Sequence, residues 1–320
     1  MNIMIEAFNL TKKYNSLTAV EDLCIQVPKS EIMGFLGPNG AGKTTTIRMF
    51  AGIIAPTKGY GTVAGRRTDK EVEKVHELIG LLTETPGFYK RLTARENLLY
   101  FARFYDIDPN AQVDRYLQKM GLWKRRDDKV GSFSKGMKQR LALARTLIHE
   151  PEVLFLDEPT AGLDPESAQE VRRLIKKLNE EGRTVFLSTH NLDEAELLCH
   201  RIALFKTELV TVDTSQNLRR RLFQRQVIVE LEEINEKIVT AVENLEFVIS
   251  VEKEGRQLII ELQNFDKNRP TLVKCIVEKN GRIRSVFEKK HSLEEIYLTL
   301  IGEETKMNDE GRKVHAETYH

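Results

Sequence analysis

A chain of 320 residues with 41% hydrophobic and 30% charged side chains is long enough for two ordinary domains with real cores, and is neither disordered nor fibrous. The formal net charge of +1, with no long run of one sign, gives nucleic acid little grip, and no apolar stretch approaches the roughly 20 residues that span a bilayer. Cys24, Cys199 and Cys275 fit no metal or redox spacing and read as small buried thiols, and MNIMIEAFNL carries an acid where a leader would be apolar, so no signal peptide is expected.

From residue 1 to 213 short apolar runs alternate with helical patterns, which predicts an α/β domain around a parallel sheet. EIMGFLG (31–37) reads as a buried strand entering a glycine turn, and TTTIRMFAGII (44–54) as the helix after it. Between them GPNGAGKT (37–44) matches G-x-x-x-x-G-K-[ST] in the strand–loop–helix setting that defines a P-loop. Gly37, Gly40 and Gly42, with Pro38, Asn39 and Ala41 between them, let the backbone curl around phosphate oxygens with its N–H groups inward. Lys43 reaches the β- and γ-phosphates, the Thr44 hydroxyl ligates Mg²⁺, and Thr45 completes the nucleotide-binding stretch. A chance glycine turn with a surface lysine is the plain alternative; eight matching positions in the right context weigh against it.

Residues 93–126 look mostly helical, within a helical subdomain of about 90–145. Thr93 and Glu96 in TARE form a capping-box pattern before NLLYFARFYDI, and AQVDRYLQKMGL gives a second amphipathic helix ending at Gly121. SFSKGMKQR (132–140) then offers a hydroxyl, basic residues and a glycine ahead of the helical RLALARTLI, which resembles a second helix start prepared for an anion. In VLFLDE (153–158) Asp157 ends a buried strand, placed to hold Mg²⁺ through water, and Glu158 is placed to polarise an attacking water. Such carboxylates often merely cap the next helix; the P-loop upstream favours the catalytic reading. Asp164 in LDPES reads as an N-cap ahead of Pro165. TVFLSTH (184–190) ends on His190, in reach of the γ-phosphate; a lone strand-end histidine is more often structural, and its place in this set reverses those odds.

SQNLRRRLFQRQ, spanning the 214–224 linker, reads as a basic connector without a strand. Beyond it, 225–302 form an accessory α+β domain: the order β-α-β-β-α-β over about 225–290 predicts a small ferredoxin-like sandwich, and SLEEIYLTLIG a last helix with Ser292 and Glu295 as its capping box. Residues 303–320 lack apolar periodicity and read as a mobile tail.

The ordered set GPNGAGKTT, SFSKGMKQR, VLFLDEPTAGLD and STH resembles the ATP-binding cassette (ABC) ATPases over nearly all of residues 3–213, and the insertion and the SLEEIY helix look most like exporters of the ABC-2 type, such as those for drugs, bacitracin or sodium. The resemblance implies a P-loop NTPase fold, hydrolysis of ATP with Mg²⁺, and an adenine-stacking aromatic, matched by Tyr14. It makes SFSKGMKQR the signature that closes, in trans, on ATP held by another cassette, through Ser134 and Gly136 with Lys135 and Met137 between and beyond them; Asp164 falls in the D-loop. The partners implied are a second copy or a homologous cassette, and integral membrane permease subunits docked near Glu84–Tyr105 through Phe88 and Tyr89, which places the chain on the cytoplasmic face of a membrane. Two departures stand out. The signature reads FSKGM where the family has a sequence close to LSGGQ, and Lys135 either adds charge near phosphate or points to solvent. Glu84 stands where the family places a metal-coordinating glutamine; exporter-type cassettes often carry an acid there. The C-terminal domain is open between a dimer-stabilising or regulatory role and inert packing. Rival readings are an ABC ATPase acting as a mechanical switch on ribosomes or DNA, which usually has two cassettes or a coiled coil, and a P-loop kinase, which leaves the signature unexplained.

Overall fold

The computed structural model describes residues 2–222, 225–289 and 295. They fall into two compact units, Met1–Thr214 and Ser215–His320.

In the first unit β1 (Ile3–Tyr14) and β2 (Leu17–Pro28) form a long antiparallel hairpin, turned at Asn15, whose φ of 50° asparagine tolerates better than most residues. β3 (Ile32–Leu36) and α1 (Lys43–Phe50) flank the glycine loop. The helix expected to reach residue 54 stops at Phe50: Ala51 caps it and Gly52 follows at a φ of 67°, turning the chain back so that Ile53 N–H still finds Arg48 O at 2.9 Å. Next come β4 (Lys58–Val63), β5 (Arg66–Arg67), α2 (Val72–Leu78) and β6 (Ile79–Leu82). The helical stretch holds α3 (Ala94–Ala102), α4 (Pro109–Lys119) and α5 (Lys135–Leu147). Thr93 and Glu96 make both bonds of the capping box, at 3.1 and 2.7 Å, and Asp108 caps α4. β7 (Val153–Asp157), α6 (Pro165–Glu180), β8 (Thr184–Thr189), α7 (Leu192–Leu198), β9 (Arg201–Lys206) and β10 (Glu208–Asp213) complete the unit.

Two sheets result. One is antiparallel, in the order β2-β1-β4-β5; the polar-rich sequence of its strands hides it from an apolar-run reading. The other runs β10-β9-β3-β8-β7-β6, parallel except for β10. Its central strands are buried on both faces, and alternate residues feed different cores. Leu154, Leu156, Val185 and Leu187 pack with the helices α3 to α6, whereas Phe155, Phe186, Met33 and Phe35 pack with α1 and the antiparallel sheet. Phe35, Phe186 and Phe205 meet at ring-centroid distances of 5.1 and 4.5 Å, filling the second core under the glycine loop.

In the second unit, residues expected to be a plain connector form α8 (Ser215–Leu222); its run of arginines has helix propensity that an absent strand pattern conceals. β11 (Gln226–Leu231), α9 (Glu236–Glu243), β12 (Val248–Glu254), β13 (Gln257–Leu262), α10 (Phe265–Glu278) and β14 (Ile283–Glu288) follow. The sheet order β12-β13-β11-β14, antiparallel throughout, is the ferredoxin-like arrangement read from the element order. α10 begins before the expected RPTLVKCIVEKNG, so Pro270 lies inside the helix. Arg225 ties the sheet to α10, pairing with Glu288 at 2.8 Å and Asp266 at 2.7 Å while lying over the Phe265 ring. The expected helix at 292–302, apart from Glu295, and the expected tail at 303–320 lie outside the described residues.

Candidate functional site

Three adjacent strands deliver the polar residues to one edge of the parallel sheet. β3, β8 and β7 lie side by side, with Leu36 opposite Thr189 and Ser188 opposite Asp157. The glycine loop, Glu158 and His190 therefore all follow the carboxyl ends of neighbouring strands, where open α/β sheets bind ligands.

In the loop, Gly42 has a φ of 104°, and a Cβ there would stand 2.1 Å from Ala19 O, so no other residue fits. Lys43 opens α1 with its ammonium turned back into the loop: Nζ donates to Gly37 O at 2.8 Å and Pro38 O at 3.1 Å, and lies 3.4 Å from Glu158 Oε1. The Thr44 hydroxyl donates to Asp157 Oδ2 at 2.8 Å, and the Ser188 hydroxyl donates to Asp157 Oδ1. Glu158 has a φ of 50°, a left-handed backbone that costs a glutamate about 1–3 kcal/mol and persists only where the surroundings impose it. Its N–H donates to Ser188 O at 3.1 Å and its Oε2 faces His190 Nδ1 at 2.9 Å, while Oε1 is buried without a hydrogen bond.

Lys43, Thr44, Glu158 and His190 face a cavity of about 430 Å³. Its walls include Tyr14, Asn39, Gly40, Gly42, Lys43, Thr44, Thr45, Glu84, Glu158 and His190. Gly37, Pro38 and Ala41 lie off the cavity wall: Gly37 and Ala41 are buried, Ala41 in the core beneath, and Pro38 is exposed. Tyr14 is 43% exposed at the cavity's rim, with Lys12 Nζ 5.0 Å from its ring centroid. An adjoining cleft brings Glu84 together with Thr44 and Asp157. Among the described residues no three His, Cys, Asp or Glu side chains form a self-sufficient metal site. Thr44 Oγ1 and Asp157 Oδ2, 2.8 Å apart, are hard oxygen donors of the type that Mg²⁺ takes when other oxygens complete its shell.

Residues 132–140 form no part of that cavity wall. Ser134 caps α5, its Oγ accepting from Met137 N–H at 3.2 Å, and is exposed. Met137 packs against the helical core. Gly136 is buried against the first turn of α6: a Cβ there would stand 2.3 Å from Ser167 Oγ and 2.7 Å from Ser167 Cβ. Lys135 is exposed but lies over the loop after β7, its Nζ at 2.2 Å from where a Gly162 Cβ would be. Asp164 caps α6 by accepting from Ser167 N–H at 2.9 Å, a bond that holds its carboxyl below the usual range.

Sequence reading missed three buried polar residues around this edge. Ser188 fixes Asp157. Gln139 donates to Pro159 O at 2.7 Å. Glu194 accepts from the hydroxyls of Thr160 and Thr189 at 2.6 and 2.7 Å. The only signal for Ser188 is a hydroxyl two residues before His190, and nothing in the spacing marks the other two.

Residues 20–161 match the family model described as ABC transporter. The chain is 37% identical over 304 residues to the bacitracin transport ATP-binding protein BcrA of Bacillus licheniformis, covering 94% of this chain and 98% of that one. It is 33% identical over 306 residues to the linearmycin resistance ATP-binding protein LnrL of Bacillus subtilis (strain 168), covering 93% and 98%. A dimeric ATP-binding cassette in a post-hydrolysis state, bound to ADP and Pi, superposes with a TM-score of 0.61 at 27% identity, over 66% of this chain and 98% of that one.

Proposed function

Because this chain belongs to the ABC transporter family, as its ATP-binding and ATP-hydrolysing subunit, we propose that it powers export as one half of a dimer that closes on ATP. The observation that carries the reading is the cavity in which the glycine loop, Thr44 and the Glu158–His190 pair meet, with Asp157 bonded to Thr44 in the adjoining cleft. No helix among the described residues is long and apolar enough to cross a membrane. In this reading integral membrane subunits form the transport path, and the chain docks on their cytoplasmic side. Relatives named for bacitracin transport and linearmycin resistance support export as the direction.

The side chains divide the work as follows. Tyr14 stacks on the adenine at the cavity's rim. The N–H groups of residues 39–45 and the start of α1 receive the phosphates. Lys43 exchanges the carbonyls of Gly37 and Pro38 for the β- and γ-phosphate oxygens, which frees Glu158 Oε1. Thr44 and Asp157, with Glu84 beside them, would hold Mg²⁺, which supplies charge neutralisation on the phosphate oxygens when bound. Glu158 takes a proton from a water whose oxygen bonds to the γ-phosphorus as the bond to the bridging oxygen breaks, leaving ADP and phosphate. His190 holds the Glu158 carboxylate at Oε2 and faces the γ-phosphate side of the cavity. Ser134 and Gly136 serve the nucleotide of the facing cassette, with Lys135 and Asp164 at the same surface.

The test is Glu158→Gln. It is expected to bind ATP normally and turn it over at least ~100-fold more slowly, the scale for loss of a general base. Near-normal turnover in a phosphate-release assay refutes the assignment.

A further inference from the structure

The short turn that carries Glu158 is gripped by two buried polar side chains that take no part in the chemistry described above. Gln139, on α5, is 7% exposed and donates Nε2 to Pro159 O at 2.7 Å. Glu194, on α7, is 2% exposed and accepts from Thr160 Oγ1 at 2.6 Å and Thr189 Oγ1 at 2.7 Å. Thr189 Oγ1 itself accepts from Asn191 N–H at 3.0 Å, so its own hydrogen is committed to Glu194. An amide and a carboxyl in such places cost desolvation that a well-packed apolar pair would avoid. Burial pushes the Glu194 carboxyl up and the two threonine hydroxyls pull it back.

The bonds fall on the immediate neighbours of the reacting pair. Pro159 and Thr160 are the two residues after Glu158, and Thr189 is the residue before His190. Glu158 sits in a left-handed backbone at a φ of 50°, which the surroundings must enforce. Its N–H is held from β8, the next carbonyl from α5, and the next hydroxyl from α7. One carboxyl, that of Glu194, thereby fixes the segments bearing both Glu158 and His190. Gln139 lies one turn into the helix that opens at Ser134, so the same turn is tied to the exposed signature.

We propose that Gln139 and Glu194 are positioning residues that clamp the turn 158–160 and set the Glu158 carboxylate against His190 and the attacking water. The inference rests on the reading of Glu158 as general base. A base displaced by even about 1 Å loses much of its effect, whereas nucleotide binding, made by the glycine loop, does not depend on the clamp.

Full-length protein is assayed for ATP turnover, nucleotide affinity and unfolding. Glu194→Ala and Gln139→Met are expected to lower kcat by ~10-fold or more while KM and nucleotide Kd stay within ~2-fold. Glu194→Gln keeps most of kcat, because its amide donates to Thr160 while its oxygen accepts from Thr189. Adding Glu194→Ala to Glu158→Gln slows turnover no further, since both act on one step. Thr160→Val, which removes a single hydroxyl, gives a milder kcat loss and stands in if Glu194→Ala fails to fold. Normal kcat in Gln139→Met and in Glu194→Ala or its stand-in, with Glu158→Gln slow, overturns the clamp alone. Parallel loss of kcat, affinity and folded protein also overturns it, in favour of simple packing. Near-normal turnover in Glu158→Gln overturns the reading beneath it.

Discussion

The two anion-ready helix starts of this chain differ in how they are finished. At α1 the glycine loop is enclosed by its own chain: Lys43 bonds two loop carbonyls, Thr44 bonds Asp157, and Glu158 bonds His190 around one cavity. At α5 the order is reversed. Behind Ser134 the helix start is closed by its own chain, with Gly136 against Ser167 and Asp164 capping α6, while Ser134 and Lys135 face outward. A site with its walls in place binds by itself; a satisfied, outward-facing helix start needs something brought to it. On the proposed dimer reading, the difference is that between a whole site and half of one.

The largest test of that contrast is Lys43→Ala. Removing the ammonium leaves Glu158 Oε1 buried without its one ion pair and takes the cation from the phosphates. ATP affinity is expected to fall by ~100-fold or more, the range for truncating a buried, hydrogen-bonded charge partner. Titration with a fluorescent nucleotide analogue measures it, and affinity within a few-fold of the parent would break the claim that α1 is the complete site.

Gly136→Ala probes the other half. The new methyl meets Ser167 Oγ and Cβ at 2.3 and 2.7 Å; the hydroxyl can rotate but the Cβ is fixed to the backbone, so the starts of α5 and α6 must part at about 1–3 kcal/mol. Monomer affinity for ATP is expected to stay within ~2-fold while ATP-dependent dimerisation and turnover fall ~10-fold or more. Adding Ser167→Gly should restore both. The sharper experiment mixes Gly136→Ala with Lys43→Ala. If the signature acts in trans, the mixed dimer contains one intact composite site and turnover returns; if it acts within one chain, the mixture stays dead, and the comparison collapses.

How much of this was written in the sequence follows the same divide. GPNGAGKT and VLFLDE are legible because contiguous residues on one strand–loop–helix unit do the work, so spacing along the chain is spacing in the site. The ferredoxin-like order of the second unit is legible for a related reason, since each strand carries its own short apolar stretch. Gln139 and Glu194 are silent because their partners, Pro159, Thr160 and Thr189, lie on other elements, and only the β3-β8-β7 strand order brings those together. The antiparallel sheet and α8 were missed because polar residues interrupt the patterns that announce strands and helices. Lys135 could not be placed from sequence at all: the glycine it covers, Gly162, belongs to the loop after β7.

The smallest effect tests whether the signature side is held by local capping alone. The Asp164 carboxyl is held below the usual range by Ser167 N–H, so its folded pKa is depressed relative to the unfolded chain. A depressed carboxyl contributes stability that is present above the unfolded pKa of about 3.9 and is lost as pH falls through the folded value. Asp164→Asn keeps an N-capping oxygen but has no proton to take up. Thermal melts of the two proteins should therefore differ slightly at pH 7, the parent being the more stable, and the gap should close as pH is lowered below about 4. ATP affinity of the isolated chain should be the same in both. A gap that does not change with pH would mean that Asp164 stabilises α6 by shape rather than charge, and a fall in affinity would mean that the loop between Glu158 and α6 belongs to the whole site rather than to the half.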